Sequence, residues 1–128
     1  MTATIRVAVC DDARAVKFFL RQVLEEEGDI EVVSAASTGE EALAALGECR
    51  ADVLLLDLVL PDVPEPAKLV ERIRECTPGT AIVLISNLPP FSLEKEAGRV
   101  GADGWVPKAV KPAQLREAVR TAVGAASG

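Results

Sequence analysis

The stretch Val53-Leu54-Leu55-Leu56-Asp57 decides the fold of this chain. Its unbroken apolar run predicts a strand of a parallel sheet that is buried on both faces. Asp57 ends the run, and the carboxyl ends of such strands form the edge at which doubly wound sheets bind ligands. A carboxylate at this place therefore predicts a binding or catalytic site.

Two further aspartates follow a second apolar run. Asp11 and Asp12 come directly after a strand predicted at Ile5–Cys10. Three carboxylates at one sheet edge repel one another unless a cation lies between them, and oxygen ligands suit a hard ion such as Mg²⁺. Asp11, Asp12 and Asp57 are therefore predicted to form a metal site.

Strands and helices are predicted to alternate along the whole chain. Further strands are predicted at Ile30–Ala36, Ala81–Ser86 and Gly104–Pro107, with segments of helical spacing between them. This alternation predicts an α/β, flavodoxin-like doubly wound (βα)5 fold, with a five-stranded parallel sheet in the order 2-1-3-4-5. Pro107 fits an edge strand, because proline cannot donate to a sheet ladder. The order also brings the three aspartates together.

The helix ends carry their own signals. Thr38 and Glu41 form the pattern of a capping box, and Gly28 is expected to end the first helix. The apolar stripe of that helix places Phe19 among the inward positions. The run 25–27, three glutamates, is expected to be a solvated helix end that adds nothing to stability, because its charges lie at the unfavourable end of the helix dipole.

Length and composition restrict the possible functions. The 128 residues suit one domain, taken as residues 1–124, with 125–128 as a frayed tail. A net charge of −6 argues against direct nucleic-acid binding by this domain. Neither a membrane-spanning run nor a signal peptide is recognised, so a cytoplasmic location is expected. The absence of histidine excludes histidine-based triads and histidine-ligated zinc, and the three cysteines lack metal-ligand spacing.

Two more residues are predicted at the same edge: Ser86 ends the fourth predicted strand, and Lys108 follows the fifth. With these residues added, the chain resembles the receiver domain of bacterial two-component response regulators. The resemblance covers about residues 5–123. It is carried by Asp11-Asp12, Leu54-Leu55-Leu56-Asp57-Leu58-Val59-Leu60-Pro61, Ser86, and Gly101-Ala102-Asp103-Gly104-Trp105-Val106-Pro107-Lys108.

The resemblance implies a role for each acidic residue. Asp57 would accept a phosphoryl group from a partner histidine kinase, as part of a phosphorelay. Asp12, Asp57 and the backbone carbonyl of Val59 would coordinate Mg²⁺, and Asp11 would act mainly through a bound water. The chain is expected to be a phosphoacceptor with self-directed phosphotransfer and not an enzyme with an external substrate.

The resemblance also implies a switch and an output surface. Lys108 would contact a phosphoryl oxygen, and Ser86 would hydrogen-bond the phosphoryl group and move toward it. Trp105 occupies the aromatic switch position. Output would pass through the face made by the fourth helix, fifth strand and fifth helix, to an unknown partner or output domain. The spacing after Lys108 resembles that of receivers that precede helix-turn-helix output domains, and homodimers are common in the family.

Two loops depart from the family pattern. The segment 62–66 carries two prolines where glycine is usual, so the third helix is expected to begin near Glu65 or Pro66. The segment 87–90 also contains two prolines, which favours a damped switch and a short or displaced fourth helix. Val59 and Leu88 are apolar where a residue would orient an attacking water, which predicts slow self-dephosphorylation.

Two other functions remain open from the sequence. A pseudo-receiver would keep this fold and act as a protein-interaction module without phosphorylation, as the proline-rich loops allow. A phosphatase with an aspartyl nucleophile, of the haloacid dehalogenase type, is disfavoured. That class places Asp-x-Asp after its first strand, whereas Asp11 and Asp12 are adjacent here.

Overall fold

The fold was determined from a computed structural model, which describes residues 4–127, with side chains over 4–124. Strands and helices alternate strictly along this part of the chain. Their bounds are β1 Ile5–Cys10, α1 Arg14–Glu25, β2 Ile30–Ala36, α2 Gly39–Glu48, β3 Val53–Asp57, α3 Pro66–Cys76, β4 Ala81–Ser86, α4 Pro90–Val100, β5 Gly104–Pro107 and α5 Pro112–Ser127.

The strands form one parallel sheet in the order β2-β1-β3-β4-β5, as predicted. Every residue of β3 and β4 is buried. At the edge, β5 pairs with β4 through Ser86 and Pro107, so the proline ends the outermost strand. The prediction of a flavodoxin-like doubly wound fold is confirmed.

Two apolar cores lie on opposite faces of the sheet, because successive strand residues point to opposite sides. Leu54 and Leu56 join the core covered by α2, α3 and α4. Leu55, between them, joins the core covered by α1 and α5. The carboxyl edge of the sheet is thus left to the loops that follow β1, β3, β4 and β5.

Two prolines of the proline-rich loops, Pro66 and Pro90, begin the helices that follow those loops. Helix α3 begins at Pro66, as predicted. Helix α4 is 11 residues long, as long as α3, so the expectation of a short fourth helix was wrong. Pro89 is extended, with φ −57° and ψ 149°, and Pro90 occupies the first helical turn. A missing N–H costs nothing there, because that group has no partner within the helix.

One expectation for α1 was also wrong. The side chain of Phe19 is 46% exposed and lies at the rim of an apolar cleft between α1 and α5, whereas Leu20, Val23 and Leu24 are buried. Helix α1 ends at Glu25, and Gly28, which follows with φ 81°, takes the left-handed conformation that suits glycine.

The three glutamates at the end of α1 are engaged in contacts. Glu25 accepts a hydrogen bond from the Val32 N–H at 2.9 Å. The buried Arg116 of α5 contacts Glu26 and Glu27, and it donates to the Val23 carbonyl at 3.0 Å. The guanidinium thus satisfies a carbonyl in the last turn of α1, and the ion pairs offset the unfavourable position of the carboxylates on the helix dipole.

The two ends of the chain set the limits of this description. Helix α5 continues through residues 125–127, which the sequence assigned to a tail, and Gly128 lies outside the described residues. Fraying of this end stays a prediction. Among residues 4–127, no helix is both long and apolar enough to cross a bilayer.

Candidate functional site

Three carboxylates converge at the carboxyl edge of the sheet. Asp11 is fully buried, Asp57 is nearly so, and Asp12 is exposed. One oxygen from each lies within 4.8 Å of the others. Neighbouring strands β1 and β3 produce this arrangement, because Cys10 pairs with Leu56 and each of these two residues is followed by an aspartate at the same level.

The loop after β1 holds Asp11 in a fixed position. Its backbone N–H donates to the Ala36 carbonyl at 3.0 Å, and its Oδ1 accepts from the Ala13 N–H at 2.8 Å. The other oxygen, Oδ2, lies 2.7 Å from Lys108 Nζ but accepts no well-aligned hydrogen bond within the described structure. A buried carboxylate oxygen is therefore left with coordination capacity.

Lys108 also reaches Asp57. Its Nζ lies 3.4 Å from Asp57 Oδ2, and Asp57 Oδ1 accepts a hydrogen bond from the Val59 N–H at 3.2 Å. Burial raises the pKa of Asp57 above its ordinary value, and the Asp11 charge adds to this, although Val59 and Lys108 oppose it. Burial tends to lower the pKa of Lys108, but its contacts with Asp11 and Asp57 outweigh that effect and raise it.

The donor set fits a small hard cation. Carboxylate oxygens are the ligands that Mg²⁺ prefers, and Mg²⁺ keeps several waters where only a few protein ligands are available. The exposed Asp12 leaves one side of the cluster open to water, and the free capacity of Asp11 Oδ2 faces the same cluster. The residues present are therefore compatible with Mg²⁺.

Ser86 lies at the same edge, on the strand next to β3. It follows Ile85, the register partner of Asp57, and it is buried. Its Oγ accepts a hydrogen bond from the Leu88 N–H at 3.1 Å, and its carbonyl accepts one from the Lys108 N–H at 2.8 Å. These bonds tie the loops after β4 and β5 to each other beside Asp57.

The other three predicted residues, Val59, Leu88 and Trp105, occupy different environments. Val59 is 72% exposed and Leu88 is 36% exposed, so both apolar side chains remain at the surface. Trp105 is partly buried, pairs in register with Leu84, and packs against the core covered by α2, α3 and α4. The structure thus brings Asp11, Asp12, Asp57 and Lys108 together and places the other predicted residues on the loops and strands around them.

One residue of this edge was missed by the sequence analysis. Asp62, in the loop after β3, accepts hydrogen bonds from the N–H groups of Gly39 and Glu40 at 2.9 and 3.2 Å. Aspartate is a common helix cap, but a cap normally precedes its own helix. Here 22 and 23 residues separate the partners, so no local pattern in the sequence reveals the contact.

Comparisons with known proteins show a family likeness over most of the chain. The response regulator receiver domain family matches residues 7–120. The chain is 27% identical to the chemotaxis protein CheY of Halobacterium salinarum over 114 residues, covering 89% of this chain and 92% of CheY. It is 28% identical to the response regulator protein VraR of Staphylococcus aureus over 120 residues, covering 91% of this chain but 56% of VraR.

Solved structures show the same likeness. A LuxR-family two-component response regulator from Aurantimonas sp. SI85-9A1 superposes with a TM-score of 0.85 at 26% identity, covering 96% of this chain and 87% of the other. A CheY-like receiver domain protein from Methanospirillum hungatei JF-1 superposes with a TM-score of 0.82 at 28% identity, covering 98% of both chains.

Proposed function

The chain belongs to the family of response regulator receiver domains, and on that premise we propose that Asp57 is the phosphoacceptor of a two-component phosphorelay. A partner histidine kinase would supply the phosphoryl group. The observation that carries the proposal is the convergence of three carboxylates within 4.8 Å, two of them contacted by the Lys108 ammonium.

The site supports a transfer in which the protein supplies both nucleophile and charge balance. A carboxylate oxygen of Asp57 would form a bond to phosphorus while the bond from phosphorus to the kinase imidazole nitrogen breaks, and that nitrogen keeps the electron pair. The Lys108 ammonium, 3.4 Å from Asp57 Oδ2, is near enough to move onto a phosphoryl oxygen. The Ser86 hydroxyl now accepts a hydrogen bond from the Leu88 N–H. It would then move toward the phosphoryl group and donate a hydrogen bond to a phosphoryl oxygen.

We propose that Asp11, Asp12, Asp57 and the Val59 carbonyl hold Mg²⁺ at this edge. When bound, the ion offsets negative charge on the transferring phosphoryl oxygens. The surrounding chain would bind and orient: the Ala13 N–H fixes Asp11, and the Val59 N–H fixes Asp57. Both bonds go to Oδ1, so Oδ2 of each carboxylate stays directed to Lys108.

The test is incubation of the protein with acetyl phosphate and Mg²⁺, followed by intact mass. The expected result is one added phosphoryl group on the wild-type chain and on Glu71→Gln, which removes an exposed carboxylate on α3. Asp57→Asn should gain none, and neither should any protein treated with excess EDTA. An unmodified wild-type chain would instead support the pseudo-receiver, a protein-interaction module that works without phosphorylation.

We further propose that output passes through the surface formed by α4, β5 and α5. Trp105 lies between two grooves on this surface, one beside the Ser86 loop and one along α5. Its partial burial leaves room for reorientation when Ser86 moves. The output partner, a homodimer, the cytoplasmic location and the absence of turnover on an external substrate stay predictions.

A further inference from the structure

The loop that follows Asp57 is fastened to α2, which packs beside α3 on the same face of the sheet. Asp62 Oδ1 accepts from the Gly39 N–H at 2.9 Å, and Asp62 Oδ2 accepts from the Glu40 N–H at 3.2 Å. The third N–H of α2, that of Glu41, is taken by Thr38 Oγ1 at 3.1 Å. Helix α2 therefore begins with two of its free amides satisfied by a residue from another loop.

Packing reinforces this polar contact. A Cβ built on Gly39 would lie 2.6 Å from Val63 Cγ2, a separation too short for any real Cβ, so the loop rests directly on the helix backbone. Within the loop, the Val63 N–H donates to the Leu60 carbonyl at 3.1 Å. The segment 60–63 is thus a closed turn held by its own bond and by α2.

Val59 lies between this fastened turn and the end of β3. Leu58 and Leu60, on either side of it, are buried with 8% and 5% exposure, and the Leu58 N–H donates to the Ile85 carbonyl at 3.1 Å. The Val59 side chain points outward, 72% exposed. With both neighbours fixed, the direction of the Val59 carbonyl depends on where the turn at 60–63 is held.

We propose that Asp62 is a positioning residue for the Mg²⁺ site, because it anchors the loop that presents the Val59 carbonyl to α2. The proposal rests on the proposed function, in which that carbonyl is a ligand. Groups that orient metal ligands typically change metal affinity by about 10–100-fold when removed. Since Asp62 acts through a short loop on one ligand, we expect the lower value, about tenfold.

The experiment measures Mg²⁺ binding without any phosphodonor. The thermal unfolding midpoint is recorded against Mg²⁺ concentration at constant ionic strength, because a ligand that binds only the folded state raises that midpoint. Asp62→Ala should need about tenfold more Mg²⁺ than wild type for the same rise of the midpoint above its value in EDTA. Glu65→Gln is the matched control, since Glu65 is a carboxylate of the same loop that pairs with Lys68 and not with α2.

A second pair of variants tests the same contact from the helix side. Gly39→Ala forces the loop away from α2 through the clash with Val63, although alanine favours the helix itself. Mg²⁺ binding should weaken in Gly39→Ala and largely recover in Gly39→Ala with Val63→Ala, which removes the methyl 2.6 Å from the added Cβ and leaves Leu69 Cδ2, at 3.2 Å, as its nearest neighbour. This pair also decides the matter if Asp62→Ala does not fold.

The results separate the two proposals. A Mg²⁺ requirement within twofold of wild type in Asp62→Ala, an equal change in Glu65→Gln, or no recovery in the double variant would each overturn the positioning role. Faster amide hydrogen exchange at Gly39 and Glu40 in Asp62→Ala, without weaker Mg²⁺ binding, would also overturn it, because that result reports a helix cap only. Labelling of wild-type Asp57 tests the proposed function and requires none of these variants.

Discussion

Replacing Lys108 by methionine should expose the charge imbalance of the site. Lys108→Met keeps an unbranched apolar stem and removes the ammonium that contacts Asp11 Oδ2 at 2.7 Å and Asp57 Oδ2 at 3.4 Å. Two buried carboxylates are then left facing each other. We expect a less stable protein in EDTA and a larger stabilisation by Mg²⁺ than in wild type.

The magnitude follows from these distances. At an effective dielectric constant of 20, the two attractions are about 6 and about 5 kcal/mol before desolvation. The carboxylates, with oxygens within 4.8 Å, repel each other by at least about 3 kcal/mol on the same scale. Breaking a buried ion pair costs about 3–5 kcal/mol in practice. Because the Lys108 side chain keeps 16% exposure, water can partly replace it, and we expect about 2–3 kcal/mol.

Urea unfolding in EDTA, followed by far-UV circular dichroism and by the fluorescence of the single tryptophan, measures this loss. Lys111→Met is the control, because Lys111 is an exposed lysine nearby on the chain. Saturating Mg²⁺ should restore most of the difference in Lys108→Met. The penalty should also shrink as the pH falls through the raised pKa of Asp57, since a protonated carboxyl needs no cation. Equal stability of Lys108→Met and wild type in EDTA, or equal gains from Mg²⁺, would refute this reasoning.

Three further outcomes are expected. Phosphorylated protein should lose phosphate slowly, because Val59 and Leu88 offer no group to orient water; phosphate release timed after removal of the donor checks this, and a half-life of seconds contradicts it. Hydrogen bonds from Arg120 lower the pKa of Glu27 and Asp29, so the contribution of these two pairs to stability is present above the ordinary values of 4.5 and 3.8 and is lost as pH falls through the lowered values. Arg120→Gln should therefore melt lower at neutral pH and converge with wild type in acid, and a constant difference speaks against the ion pairs. Burial and neighbouring charges raise the pKa of Cys10 to about 12. Ellman's reagent should therefore modify the exposed Cys76 in the folded protein and Cys10 only in denaturant. Rapid modification of both cysteines in the folded protein would contradict this prediction.

The sheet could be predicted because its signals are local. Strand β3 is a continuous apolar run with a carboxylate at its end, and both its bounds and its central position follow from that pattern. The strand order then places Asp11 and Asp12 beside Asp57 without any knowledge of side-chain contacts. Lys108 follows the fifth predicted strand directly, which places it at the same edge, and the structure brings it into contact with the two buried carboxylates.

Contacts between distant segments could not be predicted in this way. Arg116 reaches the Val23 carbonyl across 93 residues. Its position on α5, three residues before the buried Val119, places it on the inward face, but that pattern does not say what an inward arginine contacts. The exposed Phe19 shows a second limit of sequence patterns. An apolar stripe of helical spacing predicts which side of a helix faces the core, but not how much of that side the neighbouring elements cover.

Charge balance distinguishes the site from the apolar core. The site holds two buried carboxylates and one exposed carboxylate but a single ammonium, which contacts only the two buried ones. Burial and the Asp11 charge raise the pKa of Asp57. Folding alone gives no reason for such a deficit, because a buried charge without full compensation costs free energy. The sheet tolerates it because β3 and β4 are buried along their whole length and supply stability elsewhere. With three carboxylates against one ammonium, the site formally lacks two positive charges. It is therefore suited to a divalent cation and, after that, to a phosphoryl group held by the cation and Lys108 together.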